Sequence, residues 1–272
     1  MEKVLTAVRQ RKPLVQCITN FVTVNDCANI ILASGGSPTM ASHPLEVEEA
    51  VRQVQALVCN LGAIDGVDAM ILAGKEANRL GTPVILDPVG AGGTQLRRDA
   101  AKLLLDEVHF TAIRGNASEI RYLAGQQTTG SGVDVSRLDE IHDENLNAAV
   151  SMAAELSQKL RTVIAISGKI DVITNGNEIC ILRNGCPTMA RITGSGCMLT
   201  SLIGAFCGAF DDPFLAVCSA MAAMGVCGEL ADAKRIRNGT GNATFRNDLI
   251  DAVFNLTEEQ LKEGVRYELY KR

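Results

Sequence analysis

Short, continuously apolar segments alternate with longer helical patterns along most of the chain, at a spacing of roughly 20–30 residues. Runs such as Pro83–Leu86 and Val163–Ile166 are typical of strands buried on both faces, because parallel sheets carry helices on each side. The pattern predicts an α/β fold, a three-layer α/β/α sandwich around a mostly parallel sheet. No repeat or linker interrupts the 272 residues, so we expect one domain, 1–272.

The predicted strands are Pro13–Thr19, Ala56–Leu61, Pro83–Leu86, Phe110–Ile113 and Val163–Ile166, and the main predicted helices cover 23–34, 65–80, 95–106, 144–160, 197–210, 213–231 and 242–256. Asn175-Gly176 separates two further apolar runs, 171–174 and 179–183, and predicts an antiparallel hairpin at one edge of the sheet. The segments 37–44 and 126–143 are expected to be irregular.

Residues 198–231 are apolar enough to require a test for membrane insertion. Asp211-Asp212-Pro213 divides them into two pieces, each shorter than the ~20 residues that a span needs, so we expect two buried helices and no membrane partner. The N-terminus has no apolar signal region. Nine cysteines without C-x-x-C spacing fit neither a disulfide framework nor a zinc site, which favours a reducing cytoplasm. The net charge of −5, with no basic stretch, argues against nucleic acid.

A glycine-rich run, Thr193-Gly194-Ser195-Gly196-Cys197, directly precedes an apolar helical segment. The first N–H groups of a helix have no partner within it, and the helix dipole adds partial positive charge there. Glycine lets a ligand approach the backbone closely, so the run suits an anion, most often phosphate. Taken alone, however, Gly-x-Gly before a helix is more often only a turn.

Polar residues at the carboxyl ends of the predicted strands favour the functional interpretation, because ligands of open parallel sheets bind there. These residues are Asn20, Asn60, Asp87, Arg114, Asn116, Glu119, Ser167 and Gly168. A P-loop is absent, and the three histidines show neither metal-ligand spacing nor a catalytic triad.

Each charged candidate also has a structural interpretation. Asp87 precedes a glycine-rich turn and suits either a turn or, with Glu119, a water-mediated Mg²⁺ site. Asn116 and Glu119 are spaced as a helix capping box, which is compatible with metal binding. Arg114 suits either an ion pair at a strand end or nucleotide phosphates.

Four segments closely resemble the hydroxyethylthiazole kinase family of the ribokinase-like superfamily. They are 18–29 with 36–40, Asp87-Pro88-Val89-Gly90-Ala91-Gly92, Ile113-Arg114-Gly115-Asn116-Ala117-Ser118-Glu119, and Thr193–Cys197. The resemblance covers nearly the whole chain in the right order. It implies the ribokinase-like fold and phosphorylation of the primary alcohol of 4-methyl-5-(2-hydroxyethyl)thiazole with ATP and Mg²⁺, a step of thiamine salvage.

The resemblance also implies roles for individual residues. Met40 and Gly194 would contact the thiazole alcohol with Asn25 nearby; Arg114 and Ser167 would contact ATP; Asp87, Asn116 and Glu119 would serve Mg²⁺; Gly194, Ser195, Gly196 and Cys197 would form the anion hole. Many relatives have Thr where Ser167 stands, and most of the superfamily has a catalytic Asp where this family has Cys197. The family further implies a homotrimer with active sites between subunits.

Cys197 is the expected catalytic residue, with a modest role. A helix N-terminus lowers the pKa of a thiol from about 8.5, so the thiolate could accept the proton of the alcohol. Because the transition state of phosphoryl transfer is loose, replacement by Ala should lower kcat by no more than ~10²–10⁴. Two alternatives stay open: a related enzyme, either a hydroxymethylpyrimidine kinase or a nucleotide-dependent dehydratase of repaired nicotinamide cofactors, and a non-catalytic nucleotide- or thiazole-binding protein.

Overall fold

A computed structural model describes residues 1–126 and 140–272. Most of the polar segment predicted to be irregular, 126–143, lies outside these residues. The described strands are β1 (Leu14–Ile18), β2 (Ser37–Thr39), β3 (Ala56–Asn60), β4 (Val84–Asp87), β5 (Ala112–Asn116), β6 (Val163–Ser167), β7 (Asp171–Thr174), β8 (Glu178–Leu182) and β9 (Tyr267–Lys271). The described helices are α1 (Glu2–Arg11), α2 (Val24–Ser34), α3 (Val47–Val51), α4 (Val67–Leu80), α5 (Gln95–Glu107), α6 (Ala117–Leu123), α7 (Leu146–Leu160), α8 (Ser195–Ala209), α9 (Pro213–Asn238), α10 (Asn242–Asn255) and α11 (Glu258–Gly264).

In the described part of the chain the strands form one sheet, in the order β2-β1-β3-β4-β5-β6-β7-β8-β9. Strands β2 to β6 in this order pair in parallel, and β7, β8 and β9 are antiparallel to their neighbours. The mostly parallel sheet with an antiparallel side is therefore confirmed. Asn175-Gly176 forms the predicted turn, with Gly176 at φ +92°.

Helices cover both faces of the sheet, which confirms the three layers. One core cluster joins α1, α2, α8, α9, α10 and α11 to one face, and a second joins α3 to α7 to the other. Successive residues of a strand contribute to opposite clusters: Cys17 belongs to the first and Ile18 to the second. Burial on both faces explains why these strands have no polar alternation.

The two ends of the sheet differ from the sequence-based expectation. Residues 37–39 lie in the segment expected to be irregular but form β2, a three-residue edge strand that includes Pro38. Proline is tolerated on an edge strand, and so short a run has no apolar pattern. At the other end, β9 pairs with β8, so the predicted hairpin is not the edge.

Helix α9 is also longer than predicted, because it continues through polar residues to Asn238. Within the described residues it is the one helix long and apolar enough to cross a membrane by length and composition, so the expectation that both apolar pieces are too short was wrong. Its most apolar window is 83% buried inside the protein. Burial against α8, α10 and the sheet makes it a core helix.

The order of the strands places a switch point between β1 and β3. The chain leaves β1 toward β2 on one side, and all later strands of the parallel part are added on the other side. In sheets of this kind, the crevice beyond the carboxyl ends of the strands at the switch point is the usual ligand site.

Candidate active site

Two asparagines and a cysteine meet at the switch point. Asn20 follows β1, Asn60 ends β3, and Cys197 lies in the first turn of α8. The Nδ2 atoms of Asn60 and Asn20 lie 3.2 and 3.5 Å from the Cys197 sulfur, and Asn20 Nδ2 also donates to Asn60 Oδ1 at 3.3 Å. The beginning of α8 therefore lies directly above this crevice.

Gly194 and Gly196, at the start of α8, are required by their surroundings. Gly194, the N-cap residue, has φ +82°, and a Cβ there would lie 2.4 Å from Thr23 Cγ2. A Cβ at Gly196 would lie 2.6 Å from Arg114 Nη1. Within the described part of the chain, the N–H groups of Ser195, Gly196 and Cys197 have no acceptor. This helix start is consequently able to bind an anion.

Asp87 is almost completely buried at the end of β4, next to Asn60 in the register of the sheet. Its Oδ2 accepts hydrogen bonds from Asn60 Nδ2 at 3.0 Å and Thr200 Oγ1 at 2.8 Å, and Arg114 Nη1 lies 3.8 Å away. Oδ1 is buried and has no hydrogen-bond partner among the described residues. Burial raises the pKa of this carboxyl, although the charge of Arg114 opposes the change.

Arg114 and Ser167, the two residues for which the family resemblance implies contact with ATP, lie side by side. Arg114 is the middle residue of β5 and Ser167 the last residue of the neighbouring β6, and Arg114 Nη2 donates a hydrogen bond to Ser167 Oγ. The guanidinium also lies against Gly196 and near Asp87, so it joins the helix start to the carboxylate. The ion-pair interpretation of Arg114 is therefore compatible with a role in binding phosphate.

Asn116 and Glu119 form the predicted capping box of α6. Asn116 Oδ1 accepts the N–H of Glu119 at 2.9 Å, and Glu119 Oε2 accepts the N–H of Asn116 at 2.8 Å. Glu119 Oε1 accepts the N–H of Gly90 at 2.9 Å. Burial and the nearby charge of Asp87 raise the pKa of Glu119 to about 7. Both residues thus have a structural role in addition to any contact with a metal.

The expectation that the helix start lowers the pKa of Cys197 was wrong. Burial, followed by the negative charge of Asp87, raises the pKa of this thiol to about 11. Hydrogen bonds from neighbouring side chains oppose the change only in part. The sulfur is therefore a neutral thiol at physiological pH.

Met40 and Asn25, which are expected to contact the alcohol, are not part of the hydrogen-bond network that joins the other candidate site residues in the described part of the chain. Met40 is half-buried after β2 and packs against the core cluster that includes α8. Asn25 is exposed in the first turn of α2, and its side-chain oxygen accepts a hydrogen bond from Asn29 at 3.0 Å. Among the described residues, neither side chain hydrogen-bonds to Cys197, Asp87 or Arg114.

Two residues that the sequence analysis did not select also shape the site. Thr200 holds Asp87, and its position three residues after Cys197, on the same helix face, was the available signal. Asp171 is buried and accepts the N–H of Gly168 at 2.9 Å, which fixes the turn after Ser167. Burial raises the pKa of Asp171 to about 7. Its place in the hairpin gave no hint of this contact.

Comparison with known proteins identifies the family. A sequence model of the hydroxyethylthiazole kinase family matches residues 5–259. The hydroxyethylthiazole kinase of Clostridium acetobutylicum is 47% identical over 269 residues, which are 98% of each chain. The chain belongs to the hydroxyethylthiazole kinase family. A further hydroxyethylthiazole kinase, from Thermoanaerobacter pseudethanolicus, is 44% identical over 270 residues, again 98% of each chain.

Solved structures agree with this membership. The hydroxyethylthiazole kinase of Pyrococcus horikoshii OT3 is similar with a TM-score of 0.87 and 30% identity, over 99% of this chain and 98% of that one. Pyridoxal kinase from Staphylococcus aureus, in complex with pyridoxal, is similar with a TM-score of 0.58 and 13% identity, over 95% and 98% of the two chains. The second likeness shows that this hydroxyethylthiazole kinase family member shares its fold with a kinase of another substrate.

Proposed function

We propose that this member of the hydroxyethylthiazole kinase family transfers the terminal phosphoryl group of ATP to the primary alcohol of 4-methyl-5-(2-hydroxyethyl)thiazole, as a step of thiamine salvage. The observation that carries the proposal is the start of α8. There, three backbone N–H groups that have no acceptor among the described residues begin the helix that carries the thiol of Cys197, and the guanidinium of Arg114 lies against Gly196. Phosphoryl transfer needs positioning and charge stabilisation more than covalent chemistry, and these groups can provide both.

The N–H groups of Ser195, Gly196 and Cys197 would hold the oxygens of the transferred phosphoryl group. Backbone donors of this kind require no reorganisation during the reaction, which makes them effective in a site shielded from water. Arg114, oriented by Ser167, would pair with the phosphates of ATP through its forked donors. Because Gly196 carries no side chain, the guanidinium can lie against the helix start.

The acidic residues fit Mg²⁺. Asp87 has one buried oxygen without a partner among the described residues, and Glu119 is a second buried carboxylate, whose pKa is raised in part by the charge of Asp87. Among the described residues no group of three or more His, Cys, Asp or Glu side chains forms a metal site, but Mg²⁺ keeps several waters and needs few carboxylates. Asp87 would hold the ion directly or through water, and Glu119 and Asn116 through water, since their side-chain oxygens accept backbone N–H groups. When bound, Mg²⁺ neutralises charge on the nucleotide phosphates.

Cys197 would lie beside the attacking hydroxyl group and assist its deprotonation. Its neutral state limits this assistance, so positioning by Met40, Gly194 and Asn25 would contribute more on the alcohol side. Two of these three residues, Met40 and Asn25, belong to the segment 20–45.

The 20–45 segment supports the proposal of a homotrimer with sites between subunits. Phe21 and Leu45 are each 91% exposed, although both are large apolar side chains, and Phe21 directly follows Asn20 of the site. Contact with a second subunit would bury them and close the alcohol side. We further propose that residues 1–272 act as one domain in the cytoplasm, where the nine cysteines remain free thiols.

A coupled assay of ADP release tests the function. We expect ATP turnover that depends on both the thiazole alcohol and Mg²⁺, with formation of the thiazole phosphate confirmed by mass spectrometry. Hydroxymethylpyrimidine should not replace the thiazole alcohol. Turnover only with the pyrimidine would favour the related enzyme, and binding of ATP without turnover of either alcohol would favour a non-catalytic protein.

A further inference from the structure

Asn60 has every hydrogen-bonding position of its side chain in use, although it is only 1% exposed. Its Nδ2 donates to Asp87 Oδ2 at 3.0 Å and to the Cys197 sulfur at 3.2 Å. Its Oδ1 accepts from Asn20 Nδ2 at 3.3 Å and from the N–H of Gly62 at 2.8 Å. A side-chain amide has two donor hydrogens and two acceptor lone pairs, so the four contacts leave none unused.

The two groups to which the Asn60 amide donates are proposed to serve different substrates. Asp87 belongs to the side that receives the phosphates, and Cys197 belongs to the side that receives the alcohol. Asn60 thus fixes the distance between them, and its own position is fixed by the main chain at Gly62. A Cβ at Gly62 would lie 2.6 Å from Asn60 Oδ1 and 2.9 Å from Asn20 Nδ2, so the two amides leave no room for a side chain at this turn.

We propose that Asn60 is a positioning residue that holds the Cys197 sulfur and the Asp87 carboxylate in one fixed arrangement. This role depends on the proposed kinase function, because it assigns the two partners to the alcohol and the phosphates. Asn20 assists as a second amide donor to the sulfur. Both amides favour negative charge on sulfur, since hydrogen bonds to the charged form of a group stabilise that form.

Replacement of Asn60 by Asp is the most selective test. Asp keeps the size of the side chain and the oxygen that accepts from Asn20 and Gly62, but it loses both donor hydrogens and places a second carboxylate against Asp87, as the control variant below does against Glu229. We expect Asn60→Asp to lower kcat about 10²-fold, the cost of misplaced reacting groups, while KM for ATP and for the thiazole alcohol stay within about 3-fold. Alkylation of Cys197 by iodoacetamide at pH 8, with Cys197→Ala as the blank, should be about 10-fold slower because the thiolate loses a donor.

Asn184→Asp is the matched control. Asn184 is also a buried Asn whose amide approaches a carboxylate, that of Glu229 at 3.3 Å, and whose oxygen accepts a main-chain N–H. It follows β8, five strand positions from β3. This variant should keep both kcat and the alkylation rate within about 3-fold of the wild type. Displacement of the reacting groups would cause a larger loss.

The Asn60 side chain can also be displaced by a substitution at a neighbouring residue. Gly62→Ala should displace the amide and lower kcat about 10-fold with both KM values preserved, whereas Gly241→Ala, where a Cβ meets nothing within 4 Å, should change kcat less than 2-fold. This pair decides the matter if Asn60→Asp does not fold, as judged by circular dichroism.

The alkylation rate and the activity together distinguish failure of the proposed kinase function from failure of the positioning role of Asn60. A wild-type protein that does not phosphorylate the thiazole alcohol would contradict the proposed function, and the alkylation rates would still show whether Asn60 controls the sulfur. An active wild type with Asn60→Asp unchanged in kcat and alkylation would overturn the positioning role. Equal losses in Asn60→Asp and Asn184→Asp would overturn it as well.

Discussion

The two sides of the crevice are built differently. On the side proposed for the phosphates, Asp87 is 1% exposed and Arg114 9% exposed, and hydrogen bonds or ion pairs join them to Asn60, Thr200 and Ser167. In the segment 20–45, proposed for the alcohol side, Phe21 and Leu45 are 91% exposed. The proposed phosphate side is therefore held together by contacts within one chain, whereas the segment proposed for the alcohol side carries two uncovered apolar side chains.

This difference indicates a division of tasks. Charge stabilisation requires donors that are fixed before the reaction, and fixed donors require a buried, fully bonded setting. Recognition of a small, mostly apolar alcohol instead requires apolar contacts, which a neighbouring subunit can complete. We expect changes on the phosphate side to affect kcat strongly and changes on the alcohol side to affect KM and assembly.

The largest effect is expected for Asp87→Asn. Loss of the buried carboxylate should lower kcat about 10³-fold, roughly 4 kcal/mol of transition-state stabilisation, because Asp87 would no longer hold the proposed Mg²⁺ that balances the charge of the nucleotide phosphates. Steady-state kinetics at saturating ATP and alcohol measure this effect. Asp248→Asn, which removes a buried carboxylate paired with Lys234 elsewhere in the protein, should stay within about 3-fold of wild-type kcat. Similar losses in both variants would contradict the special role of Asp87.

Gly194→Ala should lower kcat about 10²-fold, since the left-handed backbone and the contact with Thr23 force the start of α8 to move and displace its donors. The matched control is Gly239→Ala, because Gly239 also has positive φ, +63°, but a Cβ there meets nothing within 4 Å. The control should lose roughly 1 kcal/mol of stability in thermal unfolding and keep its kcat. An active Gly194→Ala variant would place the phosphoryl group away from this turn.

Cys197→Ala should lower kcat by about 10- to 10²-fold, at the low end of general-base effects, because burial raises the pKa of the thiol to about 11 and little thiolate exists near pH 8. Cys197→Asp should remain active, because a carboxylate can accept the same proton. Kinetics at saturating substrate measure both variants. A loss beyond 10⁴-fold with ATP still bound would make the thiol an obligatory base.

The smallest effect on catalysis is expected on the alcohol side. The double variant Phe21→Ser with Leu45→Ser should raise KM for the alcohol about 10-fold and weaken oligomerisation, with kcat nearly unchanged, because a few kcal/mol of apolar contact are lost. Analytical ultracentrifugation and kinetics at several protein concentrations measure these changes. Leu96→Ser, at a leucine of α5 that is 64% exposed, should change neither quantity. An unchanged oligomer would separate this surface from subunit contact.

Prediction from sequence succeeded where a local pattern reflects the environment. The strand near Pro83–Leu86 is apolar throughout because helices cover both faces, and the observed β4 is Val84–Asp87. The same reasoning missed β2, whose three residues include Pro38, and β9, whose five residues are all exposed. Edge strands form by pairing with a neighbour that already exists, so their own residues need not show a pattern.

In the candidate site, too, local features were predicted from the sequence and long-range contacts were not. The residue types at the strand ends predicted an anion site, and the capping box of Asn116 and Glu119 is local in the sequence. The bond between Asn60 and Cys197 joins residues 137 positions apart, and that between Thr200 and Asp87 joins residues 113 apart. Such contacts depend on how helices and strands are placed, which no local pattern records.

By itself, the sequence determined the layered fold, the glycine-rich helix start and the set of polar residues at one edge of the sheet, since each follows from local periodicity or spacing. Only the tertiary structure decided that Asn60 connects Asp87 to Cys197 and that the thiol has a raised rather than a lowered pKa. The physical reason is that burial and electrostatic neighbours are properties of the packed chain, and a residue's desolvation depends on segments far from it in sequence.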